Sequence, residues 1–349
     1  MIRFAWTQSR TQTLVGAAAL AIVAVVLAVT GLHLVHLYDS SVARCAVAGD
    51  CSAARASLLL HDGTMQAWLS ALVIVVPGIA GIFWGAPLVA HELESGTHRL
   101  AWTQTVTRTR WTAIKLGVGG LAAMAAAGLF SLMVTWWASP LDTAGMNAFG
   151  SFDSRDIVPV GYAAFALALG AFLGAVIRRT VPAMAATLVA FTAARLSFVH
   201  LVRPHLLAPV VRNLALNPVS TGIGASSTNG GAPTVTLQPT VPDIPNAWIV
   251  STQVVDKAGH SLTPQIFAKD CPGLGHFAAP KPGLSHVPAP TQNAVQSCVD
   301  RVGMTYHEML TYQPAYRYWE LQWYEMAVFL AAALVLAGAC VWWVRRRTA

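Results

Sequence analysis

Residues 91–115 read HELESGTHRLAWTQTVTRTRWTAIK, and this strongly polar segment lies between two long apolar runs. Its acidic residues come first and its basic residues follow. Each neighbouring run is long enough to cross a lipid bilayer as a helix. The segment therefore predicts two membrane-spanning helices that are joined by a charged loop.

The composition of the whole chain supports a membrane protein. The 349 residues are 55% hydrophobic and only 11% charged, which excludes an ordinary soluble domain of this size. About 20 helical residues, each rising about 1.5 Å, match a hydrocarbon core of about 30 Å. Apolar runs of this length predict six spans, at residues 14–35, 67–89, 113–137, 157–177, 181–202 and 324–344. The first run is too long for a secretory signal core, so we interpret it as a span.

We expect an all-α polytopic membrane protein with three parts. Residues 1–202 would hold five transmembrane helices, an interfacial N-terminal helix and a cytosolic loop at 91–112. Residues 203–323 would form a small extracellular α+β cap, and residues 324–349 the sixth helix with a basic cytosolic tail. For the first 12 residues, a disordered terminus is an equal alternative to the interfacial helix.

The expected orientation comes from Lys and Arg residues, which short loops retain in the cytosol. These residues cluster near the N-terminus, after the second run, between the fourth and fifth runs, and at the C-terminus. Both termini are therefore expected in the cytosol, with the protein in the plasma membrane. The net charge of +7 then reflects contact with membrane lipids and topology rather than nucleic acid.

Four cysteines fall on the expected outer side, where an oxidising compartment favours disulfides. They are Cys45, Cys51, Cys271 and Cys298. Four thiols allow three connectivities, and the short-loop pairings are Cys45 with Cys51 and Cys271 with Cys298. Neither pair has the ligand spacing with nearby His that zinc requires, so we predict no metal site.

Within the cap, the sequence predicts few regular elements. Residues 218–246 are rich in Gly, Pro, Ser and Thr, which indicates a loop. Residues 248–255 are typical of a strand, followed by a turn at 256–259, and residues 292–302 are typical of a helix.

Arg195 is the one full charge that lies well inside an apolar run. A charge at membrane depth is costly and by default indicates a cavity or a partner, and Glu325 at the start of the sixth run is a possible partner. The alternative is that Arg195 extends outward to the lipid headgroups.

The sequence gives little support for an enzyme. His91 and His98 are seven residues apart, whereas the helical zinc-protease motif needs two His four residues apart. The sequence also contains no G-x-x-x-x-G-K-[ST] loop for a nucleotide phosphate. We therefore expect no catalytic residues, and any ATP would be bound by another polypeptide.

Two motifs carry a resemblance to a known family. They are E-L-E-S-G-T-H-R-L with its Arg-rich continuation, and Y-Q-P-A-Y-R-Y-W-E-L-Q-W-Y-E before the last run. With the order of the spans, they make the chain resemble the ABC type-2 permease family, and in particular its actinobacterial transmembrane transport proteins. The resemblance implies an exporter subunit that binds no cofactor itself. ATP and Mg would be bound by two cassette ATPase subunits, and a second permease copy or a related permease would complete the path.

In that family the loop after the second span docks into the ATP-binding subunit. The resemblance places this coupling role on Glu92, Glu94, Gly96, Thr97, Arg99 and Trp102. Physical arguments are compatible with it, since a glycine permits a turn, a threonine can cap a helix, and Arg with Trp can anchor a partner. An ordinary solvated loop is the alternative for the segment. For the whole protein, the alternative is a membrane sensor or scaffold whose extracellular cap does the sensing.

Overall fold

The computed structural model describes most of the chain in two compact units. The first unit comprises Met1–Leu207 with Tyr316–Ala349, and the second comprises Ala208–Ala315. The described residues are 2–45, 51–95, 107–216, 221–226, 234–239, 244–272, 274 and 292–347.

Six helical segments of the described chain are long and apolar enough to cross a membrane, as predicted. We call them spans 1 to 6: Leu14–Ala43, Ser52–His91, Thr109–Thr143, Ala148–Ile177, Thr180–Leu206 and Ala315–Arg346. Span 2 begins well before residue 67, because the stretch 52–66 continues the helix despite its polar residues. Span 4 likewise begins at Ala148 rather than at residue 157, since its first turns are a short 3₁₀ helix.

The first unit is almost entirely helical. Its α-helices are Ile2–Leu37, Ser52–Ala80, Ala86–Ser95, Arg108–Thr143, Val158–Ile177, Thr180–Ser197, Arg203–Leu206 and Tyr318–Arg347. π-helical segments at Tyr38–Ala43, Gly81–Gly85 and Phe198–Val202 and 3₁₀ segments at Ala148–Ser154 and Ala315–Arg317 complete it. The N-terminal residues from Ile2 onward continue into span 1 as one helix. Their interfacial position remains a prediction.

Span 4 is the centre of this bundle, because 72% of the residues in its most apolar 18-residue stretch are buried. Glycines allow the close approach: a Cβ on Gly170 would meet the backbone nitrogen of Ala86 at 2.7 Å, and one on Gly85 would meet the carbonyl oxygen of Leu167 at 2.7 Å. Small residues at such contacts let membrane helices pack backbone to backbone. Span 2 is therefore pressed directly against span 4.

The second unit is a small α+β structure. Its strands are β1 Val210–Leu214, β2 Thr221–Ser226, β3 Thr234–Pro239, β4 Trp248–Asp256 and β5 Tyr306–Gln313. They form an antiparallel sheet in the order β1-β5-β4 and a separate β2-β3 pair. Helices Pro264–Asp270 and Gln292–Gly303 pack on them around Phe267, Val299 and Val302.

Some sequence predictions for this unit were right and others wrong. The predicted strand at 248–255 and helix at 292–302 are present. The prediction of loop throughout 218–246 was wrong, because β2 and β3 pair within it. Gly and Thr are compatible with a hairpin whose partner strand supplies the hydrogen bonds, so the composition of this segment was not sufficient to distinguish a strand from a loop.

Disulfides were predicted among the four outer cysteines, and both are present. Cys45 pairs with Cys51 in the first unit, and Cys271 pairs with Cys298 in the second. The second bond joins helix Pro264–Asp270 to helix Gln292–Gly303 across 27 residues of chain and lies inside the core of the second unit. Cys340 is free and buried.

Candidate functional site

The loop predicted to couple to a partner is described only at its margins. Gly96, Thr97, Arg99 and Trp102 lie outside the described residues. Glu92 and Glu94 belong to helix Ala86–Ser95, and for Glu92 only the backbone is described.

Glu94 already has a partner within the chain. Its Oε2 accepts hydrogen bonds from the backbone N–H of Thr180 at 2.9 Å and from the Thr180 hydroxyl at 2.7 Å. Thr180 is the first residue of the helix of span 5. The two hydrogen bonds lower the pKa of Glu94, so the exposed carboxylate is charged at neutral pH.

A cluster of buried charges lies further along the bundle, and Arg195 is part of it. The Arg195 side chain is only 9% exposed, because spans 2 and 4 enclose its guanidinium group. Its guanidinium donates to the carbonyl oxygen of Ile74 in span 2 at 3.1 Å and lies 3.8 Å from Asp153. It also stacks over the ring of Tyr162 at 4.4 Å, an arrangement that favours a cation.

Arg203 is the second cation of the cluster and binds Glu325 of span 6. Its Nε and Nη2 donate to the two carboxylate oxygens of Glu325 at 2.7 Å each, and Nη2 also contacts Asp153. The Tyr162 hydroxyl lies between these acids and contacts Glu325 as well. The sequence offered Glu325 as a possible partner of Arg195. Instead, Arg203 holds Glu325, and Asp153 and Tyr162 connect it to Arg195.

The charges of this cluster balance. Two guanidinium groups face two carboxylates, and the side chain of Glu325 is fully buried between Arg203 and Tyr162. Charges at membrane depth are stable only when they are paired and hydrogen-bonded. The cluster therefore fastens spans 4, 5 and 6 to one another, and Arg195 adds span 2.

A second polar group fixes the beginning of span 4. Arg155 binds Asp142 at the end of span 3 through two hydrogen bonds, of 2.8 and 2.5 Å. Gln322 of span 6 accepts from the backbone N–H of Val158 at 3.1 Å and donates to the carbonyl of Phe152 at 3.0 Å. The segment that carries Asp153 is thus anchored on both sides.

The cluster has the chemistry of a structural and electrostatic contact. Both acids are engaged by guanidinium groups, which leaves neither as a free base. Across the described residues, no group of three or more His, Cys, Asp or Glu side chains could hold a metal ion.

Sequence reasoning identified Arg195 and Glu325 but missed Asp153, Tyr162 and Arg203. Asp153 was assigned to the segment before span 4, because the apolar run begins only at residue 157. Arg203 lies one residue beyond the predicted end of the fifth run, at residue 202. The available signal was the alternation of acidic and basic residues in FDSRD, which is unusual so close to an apolar run.

A bundle of six apolar helices with paired internal charges defines a multi-pass membrane protein. A family model described as ABC-2 membrane transporter related matches residues 17–203, which is more than half of the chain. The chain belongs to this family. Comparison with curated proteins found no match. Comparison with solved structures found no match either.

Proposed function

We propose that the protein is the permease subunit of an ATP-binding-cassette exporter and that it couples to a separate ATPase through the loop at 91–112. One observation carries the proposal: the family match at 17–203 covers nearly all of spans 1 to 5 and the whole of this loop. The motif E-L-E-S-G-T-H-R-L at 92–100 lies within it.

Under this proposal the loop is the surface that the ATPase subunit binds. Docking is assigned to Glu92, Gly96, Thr97, Arg99 and Trp102, which combine charge, a turn and a flat aromatic anchor. Glu94 belongs to the same expected set, but its carboxylate already binds Thr180 within the chain. Two cassette ATPase subunits bind ATP and Mg, and the permease supplies helices that change arrangement when the motor closes. A second permease copy, or a related permease, completes the path across the plasma membrane, with both termini in the cytosol.

The packing of span 2 supports this role. Its last helix, Ala86–Ser95, leads to the loop and buries Ala86, Val89 and Ala90 completely. Close-packed helix interfaces move as units rather than deform continuously. A movement of this helix would therefore be transmitted directly to the central span 4.

The test is co-expression with candidate cassette ATPases, followed by purification through the permease. We expect an ATPase to co-purify and to hydrolyse ATP, and Arg99→Ala to weaken this association. Arg345→Ala is the matched control, because Arg345 is an exposed basic residue in the C-terminal helix, outside the loop. The docking assignment fails if both variants retain the ATPase equally well.

A further inference from the structure

Span 2, together with the helix Ala86–Ser95 that ends it, makes a long antiparallel contact with span 5. Glu94 meets Thr180 at one end, and Ala86 and Ala90 meet Ala183 next. Further along, a Cβ on Gly78 would lie 3.1 Å from the ring of Phe191, and the Ile74 carbonyl accepts from Arg195 at the other end. We call this contact the 2–5 seam.

The spacing of these residues shows that the seam is continuous. Ala86, Ala90 and Glu94 are four residues apart, so they lie along one face of their helix. Thr180 and Ala183 are three residues apart on the facing helix. As the numbers on span 2 fall from 94 to 74, those on span 5 rise from 180 to 195.

The two ends of the seam have different neighbours. Glu94 lies within the proposed coupling loop at 91–112, between the docking residues Glu92 and Gly96. At the opposite end, Arg195 faces Asp153 and the ring of Tyr162, and through them the Arg203–Glu325 pair. The seam therefore connects the proposed motor contact to the buried charge cluster.

We propose that Glu94 is a positioning residue that links the coupling loop to span 5, and that the 2–5 seam relays motor movement to the buried charge cluster. This inference rests on the proposed function. It gives Glu94 a role within the chain, distinct from the docking role of its neighbours. A carboxylate at the first residue of a helix is favoured by the helix dipole and by the free backbone N–H groups, so the contact suits a negative charge.

The contact at Glu94 fixes the relative position of the two helices, which the alanine packing of the seam does not. Alanine side chains form no hydrogen bonds, so the packing of Ala86, Ala90 and Ala183 does not by itself fix the position of one helix along the other. Two hydrogen bonds to one carboxylate oxygen fix the position of Thr180 along the helix axis. Removing them would let the loop move while span 5 stays behind.

The experiment measures the movement of span 5 in the purified complex of permease and ATPase. Spin labels are attached to Leu201→Cys and Leu132→Cys, both at exposed positions of spans 5 and 3. Of the five native cysteines, four form disulfides and Cys340 is buried, so the spin labels react with the introduced cysteines. Distances are recorded with and without a non-hydrolysable ATP analogue and Mg²⁺.

In the otherwise unmodified chain we expect the nucleotide to shift the distance distribution. In Glu94→Ala we expect the ATPase to remain bound. The ratio of the nucleotide-induced distance population to the nucleotide-free population should fall roughly two- to tenfold, which is the range expected for lost hydrogen bonds. Glu94→Gln should restore most of the shift, because its amide oxygen can still accept from Thr180. A purely structural role would not produce rescue together with unchanged ATPase binding.

Three outcomes would overturn the inference, and they are distinguishable. A full distance shift in Glu94→Ala would show that the seam does not need this contact. Loss of the ATPase in Glu94→Ala would assign Glu94 to docking instead. Failure of the unsubstituted chain to hold any ATPase would reject the proposed function itself, and the relay with it.

Discussion

Replacing Glu325 by Gln should destabilise the bundle strongly, because it leaves one buried cation without its counter-charge. The amide keeps the size of the side chain but loses the charge and replaces one of the two oxygens that accept from Arg203 by an NH2 donor. The cluster then holds Arg195 and Arg203 against Asp153 alone. Its net charge changes from zero to +1 inside the membrane.

The magnitude follows from the contacts that remain. Removing one partner of a buried ion pair costs about 3–5 kcal/mol. Arg203 still contacts Asp153, so the lower end of about 3 kcal/mol applies. For a helical unit of this size, that corresponds to a fall in melting temperature of roughly 6–12 °C.

The assay is thermal unfolding of the detergent-purified protein, followed through the fluorescence of its 12 tryptophans. Glu320→Gln is the matched control, because Glu320 is exposed on the same helix, and its cost should stay within about 0.5 kcal/mol. The double variant Arg203→Gln with Glu325→Gln restores neutrality and should lose less stability than the two single losses combined. The reasoning is refuted if Glu325→Gln lowers the melting temperature no more than Glu320→Gln.

Two further predictions concern the helix contacts and the second unit. A methyl group at Gly170 would lie 2.7 Å from the Ala86 nitrogen, so Gly170→Ala should lower the melting temperature by an amount equal to about 1–3 kcal/mol. Gly120→Ala, which meets nothing within 4 Å, should be neutral or stabilising, and equal effects would contradict the packing. Burial without a hydrogen bond to Oε1 raises the pKa of Glu308, so the folded state favours the protonated acid and this stabilisation is lost as pH rises through the raised pKa. Glu308→Gln should therefore slow hydrogen exchange in β5 relative to the unsubstituted chain at pH 7 but not at about pH 4, and an equal effect at both pH values would show that Glu308 is not the cause.

The six spans could be predicted because the bilayer imposes a length and a composition on each helix separately. Helix Thr180–Ser197 begins one residue before the predicted start of the fifth run, at residue 181. Such features need no knowledge of the rest of the fold.

The buried charge cluster could not be predicted in full because its pairs are distant in sequence. Arg203 and Glu325 are 122 residues apart, and Arg195 binds a carbonyl 121 residues away. Hydropathy reveals that Arg195 is costly where it lies, but not which group neutralises it. Asp153 was overlooked because a polar 3₁₀ segment at the start of a span resembles a loop in sequence.

The same limit applies to the second unit. Strand β5, at Tyr306–Gln313, was not predicted, and only its last two residues belong to the motif Y-Q-P-A-Y-R-Y-W-E-L-Q-W-Y-E before the last run. Its place between β1 and β4 depends on strands that begin about 100 and 60 residues earlier. Pairing between remote strands leaves no periodic signal in any one of them.

Site-specific photo-crosslinking at the loop tests the central proposal most directly. A photoreactive amino acid replaces Trp102 in cells that co-express a candidate cassette ATPase, and the same substitution at the exposed Trp319 serves as control. The proposal predicts an ATPase adduct at position 102 and none at position 319. An ATPase that purifies with the permease yet forms adducts only outside the loop at 91–112 would contradict it.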